Sequence, residues 1–142
     1  RALARQRQSL LLCEMFPMRL PNVLLIGAMK AGTTSLYMDL AEHPEVALIG
    51  DKEPHALCTD DVPQQEGLEN YGKLYANCNE RIVIDASTGY TKLPDKPGVV
   101  GRAVEVLPDD FRVIYLVREP LSRIASQHYH ASVRPRRAST SR

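Results

Sequence analysis

Apolar residues gather into four short runs: 23–26 (VLLI), 46–49 (VALI), 81–85 (RIVID) and 111–117 (FRVIYLV). Each is shorter than a helix, contains β-branched residues and stops at glycine, proline or a polar cluster. Each therefore predicts a strand. The segments between them carry the wider helical spacing. Leu36 and Leu40 lie four apart in a predicted helix over about 33–42. His43 and Pro44 end it, because the residue before proline leaves the helical region. Tyr71, Leu74 and Tyr75 predict a short helix over 68–75, with the tyrosines packing rather than reacting. Val100, Ala103, Val104 and Leu107 form one stripe of a helix over 99–107, and Pro120 opens another that reaches about His130.

Strands alternating with helices predict an α/β fold with a mostly parallel central sheet and helices on both faces, three layers in all. The 142 residues suffice for one domain. We place it at 20–131, after a lead-in segment at 1–19 and before a disordered basic tail at 132–142. In the lead-in, Leu3, Leu10, Leu11 and Met15 could line a helix that Pro17 and Pro21 end. No apolar run approaches the roughly 20 residues of a membrane span. The chain begins at Arg1, which suggests a fragment or processed product, so any upstream anchor lies out of sight.

Charge adds one asymmetry. The net charge is +1, but residues 39–69 carry nine acidic side chains against Lys52 alone, whereas 118–142 carry six arginines against Glu119. Cys13, Cys58 and Cys78 are odd in number and show no metal-ligand spacing, so free thiols are expected, with a Cys58–Cys78 bridge as the other option. No metal cluster is visible.

The most informative stretch joins the first strand to the first helix: residues 27–34, GAMKAGTT. In a glycine turn of this kind backbone N–H groups converge, and the open end of the helix adds donors and partial positive charge. An anion, usually phosphate, binds there. In the usual nucleoside-triphosphate loop the lysine follows the second glycine directly. Here Thr33 holds that place and the lysine is Lys30, so the ammonium serves a different oxygen. The donors are Lys30, Ala31, Gly32, Thr33, Thr34 and Ser35, in a P-loop-like fold. A second anion site is expected at Arg118, which closes the fourth strand, with Ser126 eight residues on, a little over two helical turns. Ligands of such sheets bind beyond the carboxyl ends of the strands. Four segments should meet there: the loop, Lys52 and Glu53, residues 87–90, and Arg118.

The pattern G-x-x-K-x-G-T-T-x-L after an apolar strand resembles the 5′-phosphosulfate loop of sulfotransferases that use 3′-phosphoadenosine 5′-phosphosulfate (PAPS). The resemblance is greatest to the heparan sulfate and bacterial carbohydrate branch. It spans roughly 20–130, the N-terminal half of such a domain, so the fold is expected to be incomplete at its C-terminus. The strand ending V-R-E-P, with Ser126 after it, resembles the family's 3′-phosphate site. Residues 52–55, KEPH, resemble a segment in which the glutamate is the base for the acceptor hydroxyl. The aromatic residues that usually follow are replaced by Ala56 and Leu57.

The resemblance implies sulfuryl transfer from PAPS to a hydroxyl or amine, most simply of a carbohydrate. Lys30 and Glu53 would be catalytic, with Lys30 stabilising the leaving phosphate and Glu53 taking the acceptor proton. His55 is the rival base. His55, Ser87 and Tyr90 are the substrate candidates, since residues 85–90 resemble an acceptor-cleft segment. The implied partners are the nucleotide donor and a carbohydrate, with no nucleic acid and no metal. The compartment would be cytoplasmic for a bacterial protein, or the Golgi lumen if an upstream anchor precedes this chain. The competing expectations are a truncated, non-catalytic nucleotide-binding remnant and a P-loop nucleotide kinase.

Overall fold

The structure, a computed structural model, describes residues 18–49 and 52–133. The predicted lead-in helix and the tail from 134 onward lie outside the described residues.

Four strands form one parallel sheet: β1 (Val23–Gly27), β2 (Val46–Leu48), β3 (Ile82–Ala86) and β4 (Arg112–Tyr115), in the order β2-β3-β1-β4. The helices are α1 (Thr33–Ala41), α2 (Gln65–Lys73), α3 (Val99–Val106) and α4 (Pro120–Val133). Two 3-10 turns, Ala56–Cys58 and Thr88–Thr91, lie in the loops after β2 and β3. Every strand is thus parallel to its neighbours, and all four carboxyl ends emerge on one edge.

The two-residue side-chain period of the strands sorts the core into two layers. Leu24 and Val83 face a cluster with Tyr71, Tyr75, Val99, Ala103 and Leu107. Leu25 and Ile84 face the other side, packing with Tyr37, Leu36 and Leu40 of α1. Helices on both faces give the three-layer α/β arrangement expected from the alternation of elements. Tyr71 and Tyr75 meet edge to face at 5.7 Å, the packing role anticipated for them. Cys58 and Cys78 are free thiols.

Three elements depart from expectation. Helix α2 runs over Gln65–Lys73, three residues earlier than the predicted start at 68, and Gly67 lets it approach the Asp61 carbonyl so closely that a Cβ would sit 2.1 Å away. Helix α3 is turned about its axis. Val100 and Val104 of the predicted stripe are 78% and 67% exposed, while Val99, Arg102 and Ala103 are buried. Arg102 accounts for the turn. Its guanidinium donates to the carbonyls of Leu57 (2.8 Å) and Pro97 (2.6 Å) and pairs with Asp60. A charged fork that satisfies two backbone carbonyls outweighs two valines on the solvent side. Arg102→Ala is expected to lower the unfolding free energy by about 2–3 kcal/mol, the cost of leaving those carbonyls unpaired; urea denaturation measures it.

The third departure is β4. The apolar run predicted a strand over 111–117, and the strand that forms is four residues long and lies at the edge of the sheet. Val113 and Tyr115 are about half exposed, and α4 has no buried residue. The ladder to β1 shifts register near Gly27, and the main chain keeps contact through Ala28 N–H to Leu116 O (2.8 Å) and Leu116 N–H to Gly27 O (2.7 Å).

Candidate functional site

At the carboxyl edge of the sheet lies a cleft of about 700 Å³. Its walls are the turn after β1, the segment after β2, the 3-10 turn after β3, Arg118 after β4, and Ser126 and His130 of α4. The first wall is Met29, Lys30, Gly32, Thr33 and Thr34. Gly32, at φ +99°, caps α1 in a left-handed conformation that glycine adopts without strain. The first intrahelical bond runs from Leu36 N–H to Gly32 O at 3.1 Å. The N–H groups of Thr33, Thr34 and Ser35 are therefore the open donors of the helix. The Ala31 N–H, expected among the anion donors, is taken by the Ala28 carbonyl at 3.0 Å. Its function in the loop is to close the turn. Ser35 and Ala31 do not line the cleft; Lys30 does.

Arg118 and Ser126 line the same cleft, so the predicted second anion site joins the first. Arg118 donates to the Lys30 carbonyl at 3.3 Å, which ties the exit of β4 to the loop after β1. Glu119 does not pair with it. Its carboxylate accepts the N–H groups of Leu121 (2.8 Å) and Ser122 (2.7 Å) and caps α4. Those backbone donors hold the Glu119 carboxyl below its ordinary range.

Glu53 and His55 form the opposite wall. The Glu53 carboxylate accepts Lys52 Nζ (2.6 Å), Thr88 N–H (2.9 Å) and the Thr88 hydroxyl (3.0 Å). Burial raises its pKa, but the Lys52 ammonium and the Thr88 donors outweigh burial and bring it below its ordinary value. His55 Nε2 stands 3.5 Å from the same carboxylate. Its Nδ1 is buried without a partner, with the ring so near Gly89 that a Cβ there would lie 2.5 Å from Nδ1. Lys30, Glu53 and His55 are the non-glycine residues with positive φ among the described residues, at 65°, 72° and 54°. All three line the cleft. Left-handed backbone at such residues is a strain that folds retain mainly at functional sites.

The predicted acceptor residues Ser87 and Tyr90 are placed differently. They are 0% and 6% exposed, outside the cleft, with both hydroxyls bonded to Asp85. The alternation of β3 turns Asp85 into the core, and these two side chains follow it. Two cleft residues lie outside the segments expected there, Lys92 and His130. Thr88 belongs to the expected 87–90 segment, and Lys92 was legible only as a loop lysine. Four cations (Lys30, Lys52, Lys92 and Arg118) surround a single carboxylate, Glu53. Such a cleft suits a ligand with several negative charges.

A parallel sheet with a glycine anion loop, an arginine–serine pair and a carboxylate at one edge defines a P-loop-like α/β protein of transferase type. No family model matches the chain. It is 31% identical over 118 residues to the membrane-associated sulfotransferase kil1 of Dictyostelium discoideum, covering 80% of this chain and 23% of that protein. It is 29% identical over 111 residues to the human heparan sulfate glucosamine 3-O-sulfotransferase 6, covering 78% of this chain and 30% of the relative. The crystal structure of a sulfotransferase from Alicyclobacillus acidocaldarius superposes with a TM-score of 0.67 at 28% identity, over 80% of this chain and 51% of that one. By sequence and fold together the chain is similar to sulfotransferases over about four fifths of its length, and it spans about half of that structural neighbour or less than a third of these curated relatives.

Proposed function

We propose that this protein is a PAPS-dependent sulfotransferase that transfers a sulfuryl group to a hydroxyl or amine of a carbohydrate. The observation that carries the proposal is the meeting of two anion sites and one base in a single cationic cleft. The open N–H groups of Thr33, Thr34 and Ser35, with Lys30, suit a 5′-phosphate. Arg118 and Ser126 suit a second phosphate, as on a 3′-phosphorylated nucleotide. When bound, PAPS supplies an electrophilic sulfuryl group whose leaving group is the nucleotide bisphosphate.

The chain's own residues then have separate tasks. Lys30 meets the charge that develops on the leaving phosphate. Glu53 accepts the proton of the attacking hydroxyl. Its geometry suits the role better than that of His55, since one His55 nitrogen is buried against Gly89 and the other faces Glu53 itself. His55 instead stands beside the Glu53 carboxylate, at 3.5 Å, and helps to orient it. The carbohydrate class is supported by the relatives, among which the human enzyme is named for heparan sulfate.

Calorimetry with adenosine 3′,5′-bisphosphate and with ATP tests the nucleotide reading. The bisphosphate is expected to bind at least about tenfold more tightly, because Arg118 and Ser126 meet a 3′-phosphate that ATP lacks. Preference for ATP would make the nucleotide kinase the better reading.

A further inference from the structure

Beyond the cleft, the most unusual group among the described residues is Asp85, a carboxylate at 0% exposure in the middle of the sheet. Three hydroxyls donate to it: Ser87 Oγ at 2.8 Å, Tyr90 at 2.6 Å and Tyr71 at 2.7 Å. Burial pushes the Asp85 pKa up, against the pull of these hydrogen bonds. A hydrophobic residue would fill the space without that cost, so its presence calls for an explanation.

The explanation lies in what the hydroxyls do with their other side. A hydroxyl has one proton to give and lone pairs to receive. With its proton held by Asp85, Ser87 Oγ accepts the His55 N–H at 3.1 Å. With its proton held likewise, the Tyr90 oxygen accepts the Leu57 N–H at 3.3 Å. The Glu53 N–H goes to the Ala86 carbonyl at 3.0 Å. Alternate amides of the 53–57 segment are thereby pinned to the exit of β3, and two of the three pins run through Asp85. This is the segment whose backbone is held left-handed at Glu53 and His55.

We propose that Asp85 is a positioning residue for the base. By fixing the direction of the Ser87 and Tyr90 hydroxyls, it holds the 53–57 segment in the strained conformation that presents Glu53 and His55 to the cleft. The inference rests on the sulfotransferase reading only for what the segment is used for; the clamping itself does not depend on it. Tyr71 supplies an internal control. It donates from α2 to the same Asp85 oxygen as Tyr90 but, among the described residues, accepts no hydrogen bond from the 53–57 segment.

Asp85→Asn strips a buried network of its charge and can unfold the chain, so the test uses the relays. Ser87→Ala, Tyr90→Phe and Tyr71→Phe are compared in the full 142-residue chain. Thermal melts and amide hydrogen exchange are read on each. All three are expected to lower Tm. Ser87→Ala should speed exchange at His55, and Tyr90→Phe at Leu57, roughly tenfold each, the worth of one lost hydrogen bond. Tyr71→Phe should leave exchange in 53–57 unchanged. In a sulfuryl-transfer assay the first two should lower kcat with adenosine 3′,5′-bisphosphate affinity retained, and Tyr71→Phe should change neither. Equal protection in all three variants, or equal loss in all three, overturns the clamping role. A wild-type chain that binds the bisphosphate but transfers nothing overturns the proposed function instead, and the exchange comparison still decides the clamp.

Discussion

Lys30→Ala is expected to reduce sulfuryl transfer by about 10²–10³-fold, the loss typical of removing one preorganised group that meets transition-state charge. Binding of adenosine 3′,5′-bisphosphate should fall far less. The N–H groups of Thr33, Thr34 and Ser35 remain open, and Arg118 and Ser126 remain in the cleft. Both lysine and alanine must adopt φ +65° at this position, so the backbone cost is shared and the change isolates the ammonium. Steady-state kinetics beside calorimetry provides the comparison. A loss in nucleotide affinity as large as the loss in kcat/KM would show that Lys30 binds ground state and transition state alike, and its catalytic role would be withdrawn.

Glu53→Gln should cost about 10²–10⁴-fold in turnover, the usual range for a lost general base. Gln keeps the length and the left-handed backbone requirement of Glu53 but has no basic oxygen. The pH profile adds a signed test. The neighbouring Lys52 and Thr88 hold Glu53 below the ordinary 4.5 of a glutamate, despite burial. Glu53 is then ionised throughout the neutral range, and turnover limited by its charge falls only as pH drops through that lowered value. The same sign holds for stability. The contribution of the ionised carboxylate is present above the unfolded-state pKa and is lost as pH falls through the folded-state one. Wild-type turnover in Glu53→Gln would move the base role to His55. An acid limb near pH 6.5, the ordinary range of histidine, would point the same way.

The departures from the sequence-based expectations share a cause. A stripe of Val100, Ala103, Val104 and Leu107 is a sound helical pattern, yet α3 buries Arg102 and exposes two of those valines. Hydropathy cannot weigh a guanidinium that has two backbone carbonyls waiting for it, because those carbonyls come from residues 45 and 5 positions away. The strand over 111–117 had the apolar content of a central strand, but strand order is a long-range property and placed it at an edge. Ser87 and Tyr90 carried hydroxyls fit for a cleft, and only the folded turn after β3 shows that they point inward to Asp85. Conversely, nothing local in Lys92 or His130 announced that they would line the cleft with Glu53.

What the sequence determined by itself was set by local chemistry. The four apolar runs specified the strands, because short runs with β-branched residues, bounded by glycine, proline or polar clusters, favour extended backbone. The glycine-bounded loop specified a strand-to-helix turn with open backbone donors, because its φ requirement and the free donors of the following helix are properties of a few adjacent residues. The displaced Lys30 and the Arg118–Ser126 pair already set the chain apart from the usual triphosphate binders. What only the tertiary structure decided was the relation between distant parts. The parallel order β2-β3-β1-β4 gathers Lys30, Glu53, Thr88 and Arg118 at one edge. The buried Asp85 links Ser87 and Tyr90 to the backbone of the segment carrying the base. Such links cross about 30 residues of chain, beyond the range of any helical or strand periodicity, and they form only once the sheet has fixed which residues become neighbours.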